Sequence, residues 1–154
     1  MPNVVRRRSV AAPASDVWRI VSDPEHLPRW WPRTTRVENV QGSGAGGSWT
    51  QVLETRGGRG IRADFRCIAS DPDQRFAFEQ ELAGTPFERV LRSSTVEVKL
   101  TPAGEGTEVE LAQRQKLRGL SRFGAPMMRR GAAKILNSAL DGLEQALGKR
   151  RDGR

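Results

Sequence analysis

Ser9-Val10-Ala11-Ala12-Pro13-Ala14-Ser15-Asp16-Val17-Trp18, followed by Asp23-Pro24-Glu25 and Leu27-Pro28-Arg29-Trp30-Trp31, is the stretch on which the fold of this chain turns. Its alternating start predicts a strand over Val4 to Ala11, with Arg6 and Arg8 on the wet side. Pro13 suits the first turn of a helix, where its missing N–H has no partner to lose. Ser15 and Asp16 place oxygen acceptors near the unpaired N–H groups of that turn. Asp23-Pro24 ends the helix, because the residue before a proline is pushed out of the α region. The stretch therefore reads as a strand, a helix over Pro13 to Ser22, and a second short helix over Pro24 to Trp31.

Downstream, the period changes to two, the mark of half-buried antiparallel strands. Thr35 to Val40 leads through the glycine-rich turn Gly42 to Gly47 into Ser48 to Thr55, with Trp49, Gln51 and Leu53 on one face. After Gly57-Gly58-Arg59-Gly60, Ile61 to Ala69 puts Ile61, Ala63, Phe65 and Cys67 together. Arg75 to Leu82 groups Phe76, Phe78, Gln80 and Leu82. Glu88 to Thr101 is the longest strand candidate, and its parity turns Val90, Arg92, Ser94, Val96, Val98 and Leu100 inward. Thr107 to Leu117 groups Val109, Leu111, Gln113, Gln115 and Leu117.

From Leu120 to Lys149 the steps become three and four. Leu120, Phe123, Met127, Ile135, Ala139, Leu143 and Ala146 form one row, with Met128, Ala132, Leu136, Leu140 and Leu147 beside it. That is one wide apolar stripe on a long helix. Regular helix is expected from near Met127, with a stop at Gly148. The expected organisation is one domain over 1–148 and a frayed basic tail from Lys149 to Arg154. Its class is α+β: a curved antiparallel sheet of six or seven strands wrapped around the long helix, with two short helices after the first strand.

The 154 residues suffice for a sizeable core, and no apolar run approaches the roughly 20 residues of a membrane span. Met1 to Arg8 lacks the apolar segment of a secretory signal, so a cytoplasmic location is expected. One cysteine, Cys67, excludes an internal disulfide and reads as a small core residue. One histidine, His26, with no cysteine partner argues against zinc, and no nucleophile motif supports a triad around it. No metal or nucleotide cofactor is expected. The net charge of +8 raises nucleic acid or an anionic surface as partners, but the cations are scattered along the chain, which argues against nucleic acid.

The chain resembles the SRPBCC superfamily, which contains the START domains, the birch-pollen-allergen fold and bacterial polyketide cyclase/dehydrase proteins. The resemblance spans Val4 to about Leu147 and rests on Ala12-Pro13-x-x-x-Val17-Trp18, Asp23-Pro24-Glu25, Pro28-x-Trp30-Trp31-Pro32, Gly47-Ser48-Trp49-Thr50-Gln51 and Gly104-x-Gly106-Thr107-x-Val109. It implies a helix-grip fold. Members of similar shape include lipid carriers, hormone receptors and aromatase/cyclases, so the fold alone does not choose the activity.

Polar residues on faces that should be dry point to a pocket. Gln51, Gln80, Gln113 and Gln115 share parity with Trp49, Phe76, Phe78 and Val109, and Arg92 and Ser94 do so on the long strand. Unpartnered burial of such groups costs about 1–3 kcal/mol each, whereas a few convergent polar groups in an apolar cavity suit a small molecule. The alternatives are that these strand ends outrun the helix, or that parity flips at a β-bulge. Arg92 is read either as a clamp for an anionic oxygen or as a core-edge ion pair with Glu79, Glu81 or Glu110. Trp30 and Trp31 cap one end, and Phe123, Met127 and Met128 are read as an adaptable wall, or as plain core.

The expected function is binding of a hydrophobic or amphipathic small molecule, lipid-like or polyketide-like, by a monomer or homodimer. Polyketide cyclisation is the alternative, with Arg92 and Gln113 polarising a carbonyl. A third reading is a basic module for a membrane surface, an acidic protein or another anionic macromolecule. It rests on Arg114, Lys116, Arg118, Arg122, Arg129, Arg130 and Lys134, which equally suit the solvated outer face of the helix start.

Overall fold

The computed structural model describes residues 3–55 and 57–152, the side chains at 120–122 and 149–152 excepted. Arg56, the side chains of Leu120 and Arg122, and those of the basic tail thus lie outside the described residues. Strand β1 is Asn3–Val10, followed by helix α1 (Ala14–Val21), a 3-10 turn over Pro24–His26 and helix α2 (Leu27–Trp30). Strands β2 (Thr34–Gln41), β3 (Ser48–Glu54), β4 (Gly60–Asp71), β5 (Arg75–Gln80), β6 (Leu91–Ala103) and β7 (Gly106–Leu117) follow, then a 3-10 segment over Gly119–Gly124 and helix α3 (Ala125–Asp152). None of these helices is long and apolar enough to cross a membrane.

Pro13 caps α1 from outside with extended backbone, and Asp23 accepts from the Glu25 N–H at the next corner. The two short helices carry the chain from one sheet edge to the other. The sheet is antiparallel throughout, in the order β1-β7-β6-β5-β4-β3-β2, and curves around α3. This is the expected α+β class and architecture.

The core is divided. Its larger part joins Val96, Val98, Leu100, Val109 and Leu111 of the sheet to Ala132, Leu136, Ala139, Leu140, Leu143 and Leu147 of α3, with Trp30 and Trp49 among them. A smaller cluster gathers Leu82, Leu91 and Leu117, with Phe87, Ala125 and Met128 packed on it.

Several expectations are corrected. The long strand starts at Leu91, because Pro86, which lacks a backbone N–H, opens a 3-10 turn over Pro86–Arg89 instead of a ladder. Pairing then moves from Leu91↔Leu117 to Ser93↔Lys116, so Arg92 is the extra residue of a β-bulge. Leu91 is buried, and both Val90 and Arg92 are exposed; the inward Arg92 does not exist. Phe123 in the 3-10 segment, and Met127 and Ile135 on α3, are exposed although their row was expected to face the sheet. The reason is the helical period: at 3.6 residues per turn, Ala139 lies about a third of a turn and Leu143 almost half a turn around from Met127. Regular helix begins at Ala125 and passes Gly148 without stopping.

Two contacts fix α3 in this rotation. Arg8 on β1 reaches Asp141 and Glu144, the latter at 2.9 Å. Gly142 lies against α2, where an added Cβ would stand 2.4 Å from the Trp30 carbonyl oxygen and 3.0 Å from its Cα. On the outer sheet face, Glu97 is buried and paired with Arg75, and with Lys99 and Arg114 at 3.7 Å. Burial pushes its carboxyl up, but the hydrogen bond from Arg75 and the three cationic charges outweigh that and hold it below the usual glutamate range.

These contacts predict opposite outcomes for two glycines of one helix. Gly142→Ala should cost about 1–3 kcal/mol, since the added methyl meets backbone that cannot yield cheaply. Gly131→Ala, with open space around its Cβ position, should stabilise by up to about 1 kcal/mol. Thermal melting of both variants checks the pair. Glu97→Gln should cost about 1–2 kcal/mol at neutral pH. Because the folded carboxyl titrates below its unfolded value, that advantage is complete above the ordinary carboxylate range and vanishes as pH falls through the depressed value. The melting difference from the parent chain should therefore close on acidification.

Candidate functional site

The inward face of the sheet carries its side chains in rows. One row runs Cys67↔Phe78↔Val96↔Gln113↔Val4 across β4, β5, β6, β7 and β1. The next runs Trp49↔Phe65↔Gln80 across β3, β4 and β5, and resumes as Ser94↔Gln115 on β6 and β7. Aromatic rings fill the β3–β5 side: Trp49 stands 5.5 Å and Phe65 5.6 Å from Phe78, and Phe76 packs 6.1 Å from Trp18. Trp31, directly after α2, joins at 6.1 Å from Phe78 and 5.4 Å from Trp30.

Toward β6 and β7 the same face turns polar, and this band lies between the two apolar clusters. Along β7 the inward order is Leu111, Gln113, Gln115, Leu117; along β6 it is Val96, Ser94, Leu91; from β5 onward it is Phe78, Gln80, Leu82. On α3, Met128 belongs to the smaller cluster and Ala132 to the larger. Every element that crosses here passes from apolar cluster to apolar cluster, and the three strands place amides and a hydroxyl between them.

The expected polar residues differ in what they meet. Gln51 is fully buried and satisfied: the Trp49 Nε1–H donates to its Oε1 at 3.1 Å, and its Nε2–H donates to Thr34 Oγ1 at 3.2 Å. It positions the Trp49 ring. Gln113 is half-buried, yet its Oε1 is enclosed without any hydrogen-bond partner. Ser94 is buried, whereas Gln80 and Gln115 are half-buried. The indole N–H of Trp30, itself buried, also lacks a partner.

Of the remaining expected site residues, Phe65 is half-buried, and Trp49, Phe76 and Phe78 are buried. Met128 is half-buried on the smaller cluster; Phe123 and Met127 point away from it into solvent. Arg92 lines a groove of about 260 Å³, together with Gln80, Leu82, Glu88, Ser94 and Arg118. The groove reaches the polar band at Gln80 and Ser94, and the exposed Arg92 lines it with them. A further cavity of about 280 Å³ lies on the other side of the aromatic group, between the Ser22–Pro24 corner, the Gly42–Ser48 loop, Trp49, Cys67 and Phe76. Burial pushes the Cys67 thiol up, and its bond to the Ala69 carbonyl oxygen only partly opposes this, so Cys67 stays a neutral wall residue. Among the described residues no group of His, Cys, Asp or Glu is gathered to hold a metal ion.

Sequence reasoning missed Thr34, which satisfies Gln51, and the separate cluster of Leu82, Leu91 and Leu117. The cluster had a signal: on β7 and β5 the inward parity reads apolar, polar, apolar. Thr34 had none, because its contact with Gln51 exists only across the β2–β3 pair.

The geometry has many likenesses among solved structures. The di-domain aromatase/cyclase StfQ from the steffimycin biosynthetic pathway matches 99% of this chain with 52% of its own, at 15% identity and a TM-score of 0.78. A START superfamily protein from Mycobacterium smegmatis matches at 16% identity and a TM-score of 0.75, covering 96% of this chain and 97% of that one. TTHA0849 from Thermus thermophilus matches at 22% identity and a TM-score of 0.74, covering 94% and 95%. At such identities the likeness shows the fold alone. Among curated proteins, none matches the chain in sequence. The model of the family described as polyketide cyclase/dehydrase and lipid transport matches residues 1–148. With nearly its whole length covered by that model and its fold shared with the START-type structures, the chain belongs to the polyketide cyclase/dehydrase and lipid transport family.

Proposed function

We propose that this chain binds an amphipathic small molecule between the two apolar clusters, with its polar end on the band of Gln80, Ser94, Gln113 and Gln115. The observation that carries the reading is the Gln113 Oε1, enclosed and without a partner. An unsatisfied buried acceptor costs about 1–3 kcal/mol, so a ligand that brings a hydroxyl or N–H recovers free energy the empty chain has forgone. Phe65 and Phe78 on one side and Met128 on the other offer apolar contact to the rest of the molecule. Such a site is apolar with a few directed polar groups, the usual make-up of a small-molecule pocket.

The cyclase alternative draws on the structural likeness to one half of StfQ and would use the same seat. Arg92 does not join Gln113 on one carbonyl, because it is exposed on the bulge and lines a groove to which Gln113 does not contribute. What supports binding over catalysis is the chemistry facing the seat: amides and a hydroxyl orient a ligand, whereas proton transfer calls for a group that titrates near the working pH.

Native mass spectrometry of the gently purified chain should show a discrete adduct whose released molecule carries a hydroxyl or N–H donor on an apolar body. Gln113→Leu gives the sharper test. It replaces the orphaned amide by an apolar side chain of similar size, so the empty protein should melt at the same temperature or higher. The parent chain should bind 2-naphthol more tightly than 2-methylnaphthalene by about tenfold, the worth of one hydrogen bond. Gln113→Leu should erase that preference. A parent chain that does not discriminate, or a variant that still does, removes Gln113 as the polar contact.

A further inference from the structure

Phe123 and Met127 are 84% and 80% exposed, and no other large apolar side chain among the described residues exceeds 42%. They stand where the chain leaves β7 through the 3-10 segment and enters α3. Met127, Arg130 and Lys134 follow one another at three- and four-residue steps, so they share the helix face turned away from Ala132, Leu136 and Leu143. Arg130 and Lys134 are exposed and form no ion pair among the described residues. No Asp or Glu occurs between Glu110 and Asp141, whereas Lys116 and Arg118 add exposed cations at the end of β7. An apolar tip thus rises beside a basic stretch, with Glu79 and Glu88 the acids that share a groove with Arg118.

We infer that this end of the molecule docks on an anionic lipid bilayer, with Phe123 and Met127 entering the hydrocarbon boundary and Arg118, Arg130 and Lys134 resting on the headgroups. A bilayer with anionic lipids meets both halves of the surface at once: it takes up apolar side chains and attracts the cations around them. A second copy of the chain fits less well, because a two-fold interface through the tip would bring Arg130 and Lys134 of both copies together. The docking rests on Phe123, Met127, Arg130 and Lys134, none of which belongs to the ligand seat.

Co-sedimentation of the full chain with phosphatidylcholine vesicles, with and without phosphatidylserine, tests it. Binding should be at least tenfold stronger when phosphatidylserine is present, and should weaken as salt rises. The double variant Phe123→Ser/Met127→Ser should bind about tenfold or more weakly while melting as the parent does. Arg130→Glu/Lys134→Glu should lose at least as much on anionic vesicles. If the serine variant melts early, the charge-reversal variant decides alone. Absence of vesicle binding, equal binding to both vesicle types, or full binding by the charge-reversal variant overturns the inference. So does a concentration-dependent dimer that the serine variant abolishes, which would make the tip a contact between copies.

Discussion

The rotation of α3 about its own axis governs everything else in this molecule. It is set where Gly142 lets the helix backbone close on the Trp30 carbonyl, and where Arg8 on the edge strand reaches Asp141 and Glu144. With that contact fixed, a period of 3.6 leaves no freedom in what each position faces. Leu136, Leu140 and Leu143 must enter the core, Met128 must meet the smaller cluster, and Met127 must face outward. One glycine at a close approach therefore determines the wall of the interior and the character of the exterior together.

Gluing the sheet to the helix with a continuous apolar face would have been the simplest solution, and the chain does not adopt it. Polar side chains interrupt β5, β6 and β7 at corresponding places, and the interruption is internally satisfied only in part. Gln51, one strand system away, shows the contrast: an amide held by Trp49 and Thr34 rigidifies its surroundings. Gln113, with its oxygen left over, makes no such tie through that atom. Two chemically identical side chains on one sheet face thus have different consequences, decided by whether a neighbour arrives across the ladder.

Much of this was legible in the sequence, and what was not has definite physical causes. Period-two alternation placed the strands to within a few residues, and Pro13 and Asp23-Pro24 marked the corners, because these signals are local. Arg92 was misplaced because a bulge depends on pairing between distant strands: one extra residue on β6 reverses parity before Ser93 and nowhere after it. Phe123 was misplaced because it precedes the regular helix, and Met127 because two adjacent apolar rows on a helix do not reveal which lies over the sheet. Ala139 and Leu143 outweigh Met127 through Gly142, whose meaning appears only beside Trp30. The partners of Gln51 and the lack of one at Gln113 are properties of the assembled sheet.

The divided core has a dynamic consequence. Cooperative unfolding follows contiguous burial, and the cluster of Leu82, Leu91 and Leu117 is not contiguous with the main body. Each such leucine contributes about 1.5–3 kcal/mol by burial, so releasing that end costs a modest part of what the complete core contributes. Opening of that end alone would expose the polar band and leave the aromatic group and the Gly142 contact closed. Exchange of a guest would then be timed by the smaller cluster, and retention of the fold by the larger, so that residence time and global stability become separately adjustable quantities in one small chain.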